Sequence, residues 1–289
     1  MNSMALFDAS GPRARRRTLI TSLLAGIGVA LIAALLVKRL AENGQFSADK
    51  WDPLFSGELI QFLAIGLMYT ILAAVIGLAL ALPFGIVLAV GRRSTHGWLR
   101  LVCTTYVEFI RGTPVLLLVL FFFLAFPIMF HMDLPAIWSV VFALVMFNGA
   151  IICEIVRAGI SALPTGQYEA ASAIGMRRLQ IVRIILLPQA LRVMLPALIG
   201  QFAILIKDTS LGFVINYDEL LTRSQSAGLL FSNPLQIYVV TAAVYIALNV
   251  TVSWLSQRIS LRQSRRNKST LPVPTQSEQE RITVSSTIK

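Results

Sequence analysis

Charge is what this sequence has least of. Asp, Glu, Lys and Arg make up 13% of its 289 residues, against about 25% in soluble domains. With 56% hydrophobic residues and a mean hydropathy of +0.74, that shortfall excludes a soluble domain and makes the bilayer the main solvent. Histidine is scarce as well: His96 and His131 are the two present, and no metal-ligand cluster forms around them. The two cysteines, Cys103 and Cys153, fall in or beside apolar segments. They read as small packing residues rather than a disulfide framework. No G-x4-G-K-[ST] loop and no G-x-S-x-G elbow occurs, so neither a nucleotide-hydrolysing nor a Ser-hydrolase site can be assembled from known motifs.

What the sequence has in quantity is apolar runs. Six stand out, at 19–37, 59–90, 101–127, 136–156, 190–206 and 236–257. Each is near or above the ~20 residues a helix needs to cross the hydrocarbon. The expected fold class is therefore all-α: a polytopic membrane bundle of about six transmembrane helices. The first run follows "RARRR" (13–17), as a signal peptide would. It is longer than a usual signal core, and Lys38 and Arg39 follow without a small-x-small cleavage site, so it reads as an uncleaved span. The second is too long for one perpendicular span and should tilt or kink near Pro83. The third opens with Glu108 and Arg111 nearby, which places its first turns at the interface.

Basic residues set the expected orientation. With the N-terminus inside, 20 of the 25 Lys and Arg fall on inside segments. Five (Lys38, Arg39, Lys50, Lys207 and Arg223) fall outside. This bias matches the positive-inside rule and accounts for the net charge of +11: the cations face an anionic inner leaflet, not nucleic acid. Both termini are then cytoplasmic. The tail from 258 to 289, polar with two prolines, is expected to be disordered.

One inside segment is too polar for hydrocarbon. "LPTGQYEAASAIG" (163–175) reads as a short helix. Pro164 stops the chain upstream, Thr165 or Gly166 can cap the N-terminus, and Gly175 suits the position just past the C-terminus. Glu169 is expected in the first turn, favourable to the helix dipole. Ala170, Ala171 and Ala173 leave a thin surface that another protein could approach. A second helix should follow from about Met176. On composition alone this is also what an ordinary connecting loop would look like.

The order Glu169-Ala170-Ala171, three residues, Gly175, nine residues and then Ile185-Leu186-Leu187-Pro188 resembles the full EAA signature of permease subunits of ATP-binding-cassette (ABC) importers. "GLMYTILAAVIGLALALPFGIVLAVGRRS" (66–94), "YVEFIRGTPVLLLVLFF" (106–122), "NGAIICEIVRAGISALPTGQYEAA" (148–171) and "LPQALRVMLPALIGQFAILIKDTSLG" (187–212) are similar to the polar amino-acid branch of type I importers. "NGAIICEIVRAGI" and "GMRRLQ" look most like glutamate-type permeases. After "RGTP" the chain has "VLLLVLFFF" where many relatives carry a glutamine. The resemblance implies a permease domain over 59–257, with an extra span and outer loop in 1–58 and the basic tail in 258–289. It also implies a coupling loop, 164–188, in which Glu169, Ala170, Ala171 and Gly175 dock an ATPase subunit. ATP and Mg would belong to that partner, and this chain would need no cofactor of its own. Further partners would be an identical or paralogous permease, an extracellular or periplasmic binding protein, membrane lipid and a small amino-acid substrate. Transport would proceed by alternating access in a bacterial cell membrane.

Individual polar residues stay open to two readings each. Asn148, mid-span, is a pathway ligand or an interhelical hydrogen bond. Glu154 and Arg157, three apart on one helix, form a local salt bridge or part of the substrate cavity. Lys207, Asp208, Thr209 and Ser210 mark the outer end of span five or, by resemblance, an outer gate. Two other functions compete. An ion-coupled secondary transporter would show inverted repeats and midplane charges, yet no repeat is evident and the charges sit near span ends. A non-transporting scaffold would not need the loop signature.

Overall fold

The computed structural model describes residues 11–268, and every regular element there is helical. Helix α1 (Pro12–Glu42) runs unbroken through the first apolar stretch, and none of its apolar window is covered by the other described residues. A short α2 (Ala48–Trp51) and a 3₁₀ turn lead into α3 (Gly57–Arg92). Ser56 opens α3 by accepting a hydrogen bond from the Leu59 amide.

The third apolar run is not one straight span. Helix α4 (Gly97–Gly112) stops at Thr113-Pro114, and the chain turns by 104° into α5 (Val115–Leu120), a π-helical turn at Phe121–Ala125, and α6 (Phe126–Phe130). The expected span over 101–127 is thus not one continuous helix but a bent pair. Gly112 and Pro114 are the cause: proline cannot donate the bond that would continue α4, and it forces the residue before it out of helical geometry. Thr113 is indeed extended, with φ −91° and ψ 130°.

Helix α7 (Ala136–Ser161) then packs along α3 in the same direction, Gly77 meeting Leu144 and Gly85 meeting Ile152. After it come α8 (Thr165–Ala173) and α9 (Arg178–Gln180). A π-helical turn at Ile181–Leu186 leads into α10 (Leu187–Asp208), which is followed by a 3₁₀ stretch, Thr209–Ile215. Both π-helical turns lie just before a proline, Pro127 and Pro188, where a widened turn makes room for the ring and the missing amide. Helix α11 (Leu220–Leu230) and α12 (Pro234–Lys268) complete the described chain. Helix α12 continues past the expected border at 257, so the first part of the tail is helical. Once past Pro234 no glycine or proline interrupts the sequence until Pro272. Residues 269–289, the remainder of the expected disordered tail, lie outside the described residues.

The core is the α3–α7 pair, closed by α10. Small residues allow it. Ala73, Ala74, Ala81 and Ala89 on α3 are fully buried. At Gly85 an added methyl would stand 2.7 Å from the Gly149 carbonyl oxygen and 2.7 Å from Ile152. Here backbone meets backbone, the mode of helix association that works without a hydrophobic driving force in lipid. Cys103 and Cys153 are free and buried in the same core.

Candidate functional site

The bundle has two chemically different ends. At one, α3 and α7 finish and α4 begins, and the 164–188 loop projects. We call this the loop end. Helix α8 stops with both hydrogen bonds of a Schellman turn: the Gly175 amide donates to Ser172 O at 3.0 Å and the Met176 amide to Ala171 O at 3.2 Å. Gly175 sits at φ +81°, the left-handed conformation that glycine adopts without strain. Gln180 folds back to accept from the Arg177 amide at 2.9 Å, and Gln189 donates to Gln167 at 3.3 Å, tying α8 to α10.

Three local expectations change. Pro164, not Thr165 or Gly166, occupies the capping position, with no side-chain cap. Glu169 falls in the second turn, because the helix already starts at Thr165. Ala171 is 3% exposed and packs into the core of its own chain, so the thin face is made by Ala170 and Ala173 without it. Glu169 and Ala170 are exposed. Beside them lie apolar side chains that the chain leaves uncovered: Ile174 at 76% and Leu179 at 61%.

Behind the loop, the ends of α3, α4 and α7 meet in a charge network. Glu154 is bonded to Arg92 and accepts from Arg157 at 2.8 Å. Glu108 takes Arg92 at 3.3 Å and Arg111 at 3.8 Å, and Arg111 also lies 3.8 Å from Glu154. Three guanidiniums thus surround two carboxylates, leaving one positive charge in excess. Of the three guanidiniums Arg111 and Arg157 are the open ones, with side chains 44% and 48% exposed, and the Glu108 carboxylate is open beside them at 58%. The i,i+3 pair read from sequence is present, but its carboxylate is shared with α3 and α4.

Asn148 lies deeper and is fully buried. Its amide donates to Leu144 O at 2.9 Å, and its carbonyl accepts from Gln201 of α10 at 2.6 Å. At the end of α10 Lys207 is exposed, while Thr209 and Ser210 return their hydroxyls to Ile206 O and Lys207 O at 2.7 Å each. Lys207 and Asp208, which end α10, and Thr209 and Ser210, which follow, therefore form the junction where the helix tightens into the 3₁₀ stretch.

Sequence reading missed three partners. Gln201 is a lone amide within "LPALIGQFAILI", and an amide in one apolar run could have been matched with Asn148 in another. Arg92 gave no signal, since nothing local pairs it with Glu154. Glu219 was also passed over. It is fully buried and accepts from the Leu221 and Thr222 amides at 2.9 and 2.8 Å, capping α11, and from the Tyr245 hydroxyl at 2.7 Å.

Apolar helices joined by buried polar ties, a broken third crossing and a polar helical loop at one end define a polytopic membrane permease domain. The chain belongs to the family of inner membrane components of binding-protein-dependent transport systems, which matches residues 81–265. The glutamate transport system permease protein GluD of Corynebacterium glutamicum is 40% identical over 247 residues, 83% of this chain and 90% of that one. The probable glutamine ABC transporter permease protein GlnP of Bacillus subtilis is 34% identical over 73% of this chain and 97% of its own length. Among solved structures, that of an amino acid ABC transporter with histidines superposes with a TM-score of 0.65 at 30% identity, over 72% of this chain and 95% of that one. The fold is that of a type I ABC importer transmembrane domain, and the chain is a permease component of an amino-acid ABC transporter.

Proposed function

We propose that the chain is the permease subunit of a glutamate importer. The observation that carries the substrate is the 40% identity to GluD across most of both chains. The loop-end network supports it: the excess guanidinium charge, open at Arg111 and Arg157, attracts an anionic side chain and disfavours a cationic one. In this reading Glu154 and Arg157 border the pathway. Asn148 with Gln201 holds α7 against α10 beside it, and Lys207 to Ser210 form the outer gate.

Energy comes from ATP and Mg bound by a separate ATPase subunit, and a binding protein delivers substrate. A second permease, identical or paralogous, completes the pathway. The loop end faces the cytoplasm, and Glu169, Ala170 and the Gly175 turn present Ile174 and Leu179 to the ATPase. Closure of the ATPase drives alternating access through differential contacts in the two states.

The test is uptake into proteoliposomes holding the permease, its ATPase and its binding protein, supplied with labelled glutamate, glutamine, cystine or arginine. ATP-dependent uptake of glutamate, competed weakly by glutamine, is the expected result. Preferred uptake of glutamine or of a cationic amino acid would refute the substrate assignment and leave the permease assignment intact.

A further inference from the structure

Two clefts open at the loop end and share two residues, Arg93 and Arg178. The first, of about 460 Å³, lies between the end of α7 and α8, with Ser161, Thr165 and Tyr168 on its walls. The second, of about 450 Å³, runs between α3, α4 and the Ile181–Leu186 turn, and its walls are apolar: Val87, Val90, Leu99, Leu179 and Val182. Ser94, Thr95 and His96 stand at its rim beside the two arginines.

Arg92, next in sequence, spends its charge on Glu154 and Glu108. Arg93 and Arg178 make no ion pair among the described residues. Arg93 is half-buried, and its Nε is enclosed without a hydrogen-bond partner. Burial first, then the guanidiniums of Arg178 and Arg157, lower its pKa. Glu169 lines the first cleft but reaches neither arginine within ion-pair distance. Two cations held close, one partly desolvated, call for an anion.

The surroundings say which kind. Trp98, Leu101 and Val102 on α4 are 68%, 67% and 58% exposed, so the face beside the cleft is apolar and carries a tryptophan, as membrane-interface surfaces do. A free phosphate or a carboxylate from a partner protein would satisfy the arginines and leave the apolar cleft empty. An anionic phospholipid fills both parts. We propose that Arg93 and Arg178 hold the phosphate of an anionic phospholipid whose acyl chain lies along Val87, Val90 and Val182. Basic pockets between spans bind such headgroups. Because Arg178 opens the helix that follows the Gly175 turn, the lipid braces the loop against α3 and α4. This inference rests on the membrane fold and not on which amino acid is carried.

Native mass spectrometry of the full-length permease tests it, with and without its ATPase subunit, after exchange into mixed micelles of phosphatidylglycerol and phosphatidylcholine. Phosphatidylglycerol should be retained in preference. Arg93→Gln with Arg178→Gln should reduce that preference by about tenfold or more, at roughly 1 kcal/mol for each cation near a lipid surface. The Arg→Lys pair should keep most of it. If the double variant does not fold, Arg178→Gln alone, at an exposed position, should still lower the preference by about fivefold. Equal retention of the two lipids, or an unchanged preference in the Gln variants, overturns the proposal. Displacement of phosphatidylglycerol by inorganic phosphate would show a free-anion site instead. Loss of the lipid on adding the ATPase subunit would show that the arginines belong to a protein interface.

Discussion

The side-chain amide of Gln201 donates to the side-chain carbonyl of Asn148 at 2.6 Å, joining α10 to α7 where both residues are buried. Interhelical hydrogen bonds in membranes average about 0.6 kcal/mol, with about 1.7 at most, because the unfolded chain also finds partners. A buried group left unsatisfied costs more, about 1–3 kcal/mol. Asn148→Leu and Gln201→Leu should therefore each destabilise the protein by roughly 1–2 kcal/mol. The double variant should lose clearly less than the two singles together. Reversible unfolding in mixed micelles, analysed as a double-mutant cycle, measures this. Strict additivity would mean that the pair is not coupled.

The network at Glu154 makes a second prediction, in which stability and transport separate. Glu154→Gln strips Arg92, whose side chain is 14% exposed, of its nearest carboxylate. Stability should fall by about 2 kcal/mol, less than for a fully buried pair because water reaches the site. Arg157→Gln removes a side chain 48% exposed while Arg92 still holds Glu154. Its stability should change by less than about 1 kcal/mol. Glutamate uptake should drop by about tenfold, the loss of about 1.4 kcal/mol of attraction for the substrate carboxylate. Thermal unfolding and uptake, measured on the same preparations, check both halves. Normal glutamate uptake by Arg157→Gln would remove this residue from the pathway.

Much of the fold was legible because lipid imposes continuous apolar runs. Five of them appear as single long helices, and α1 is apolar enough to span though nothing in the described chain covers it. The break in the third run was written in Gly112 and Pro114, but the apolar residues on both sides masked it. At the loop, Gly175 was legible because a glycine three to four residues after "EAAS" suits one backbone role. The inward turn of Ala171 was not, since four small residues in a row give a short helix no clear periodicity. The ties between distant helices were out of reach for a different reason. Gln201 lies 53 residues from Asn148 and Arg92 lies 62 from Glu154, and a single sequence holds no sign of which polar residue meets which.

Orientation is open to a direct check. Ser47, in the segment before α2, and Gln167 on α8 are both exposed. With Cys103 and Cys153 replaced by alanine, single cysteines at the two positions should differ in intact cells. A membrane-impermeant thiol reagent applied outside should label Ser47→Cys and leave Gln167→Cys unlabelled until the membrane is opened. Inverted labelling would contradict the distribution of basic residues as the orienting signal.

The central claim is that the 164–188 loop couples this permease to a separate ATPase, and Ile174 gives the most direct access to it. Ile174→Asp places a charge on a side chain 76% exposed, so the permease itself should fold, insert and unfold as the wild type does. Ala171→Glu serves as the contrast, because that residue is packed inside its own chain and the variant should be unstable before any partner is added. The deciding measurement is the affinity of purified ATPase subunit for Ile174→Asp permease in nanodiscs, with ATP-driven uptake read in parallel. We expect binding weakened by about tenfold or more, the equivalent of at least about 1.4 kcal/mol, and uptake lost. Wild-type affinity together with wild-type ATP-driven uptake would contradict the account.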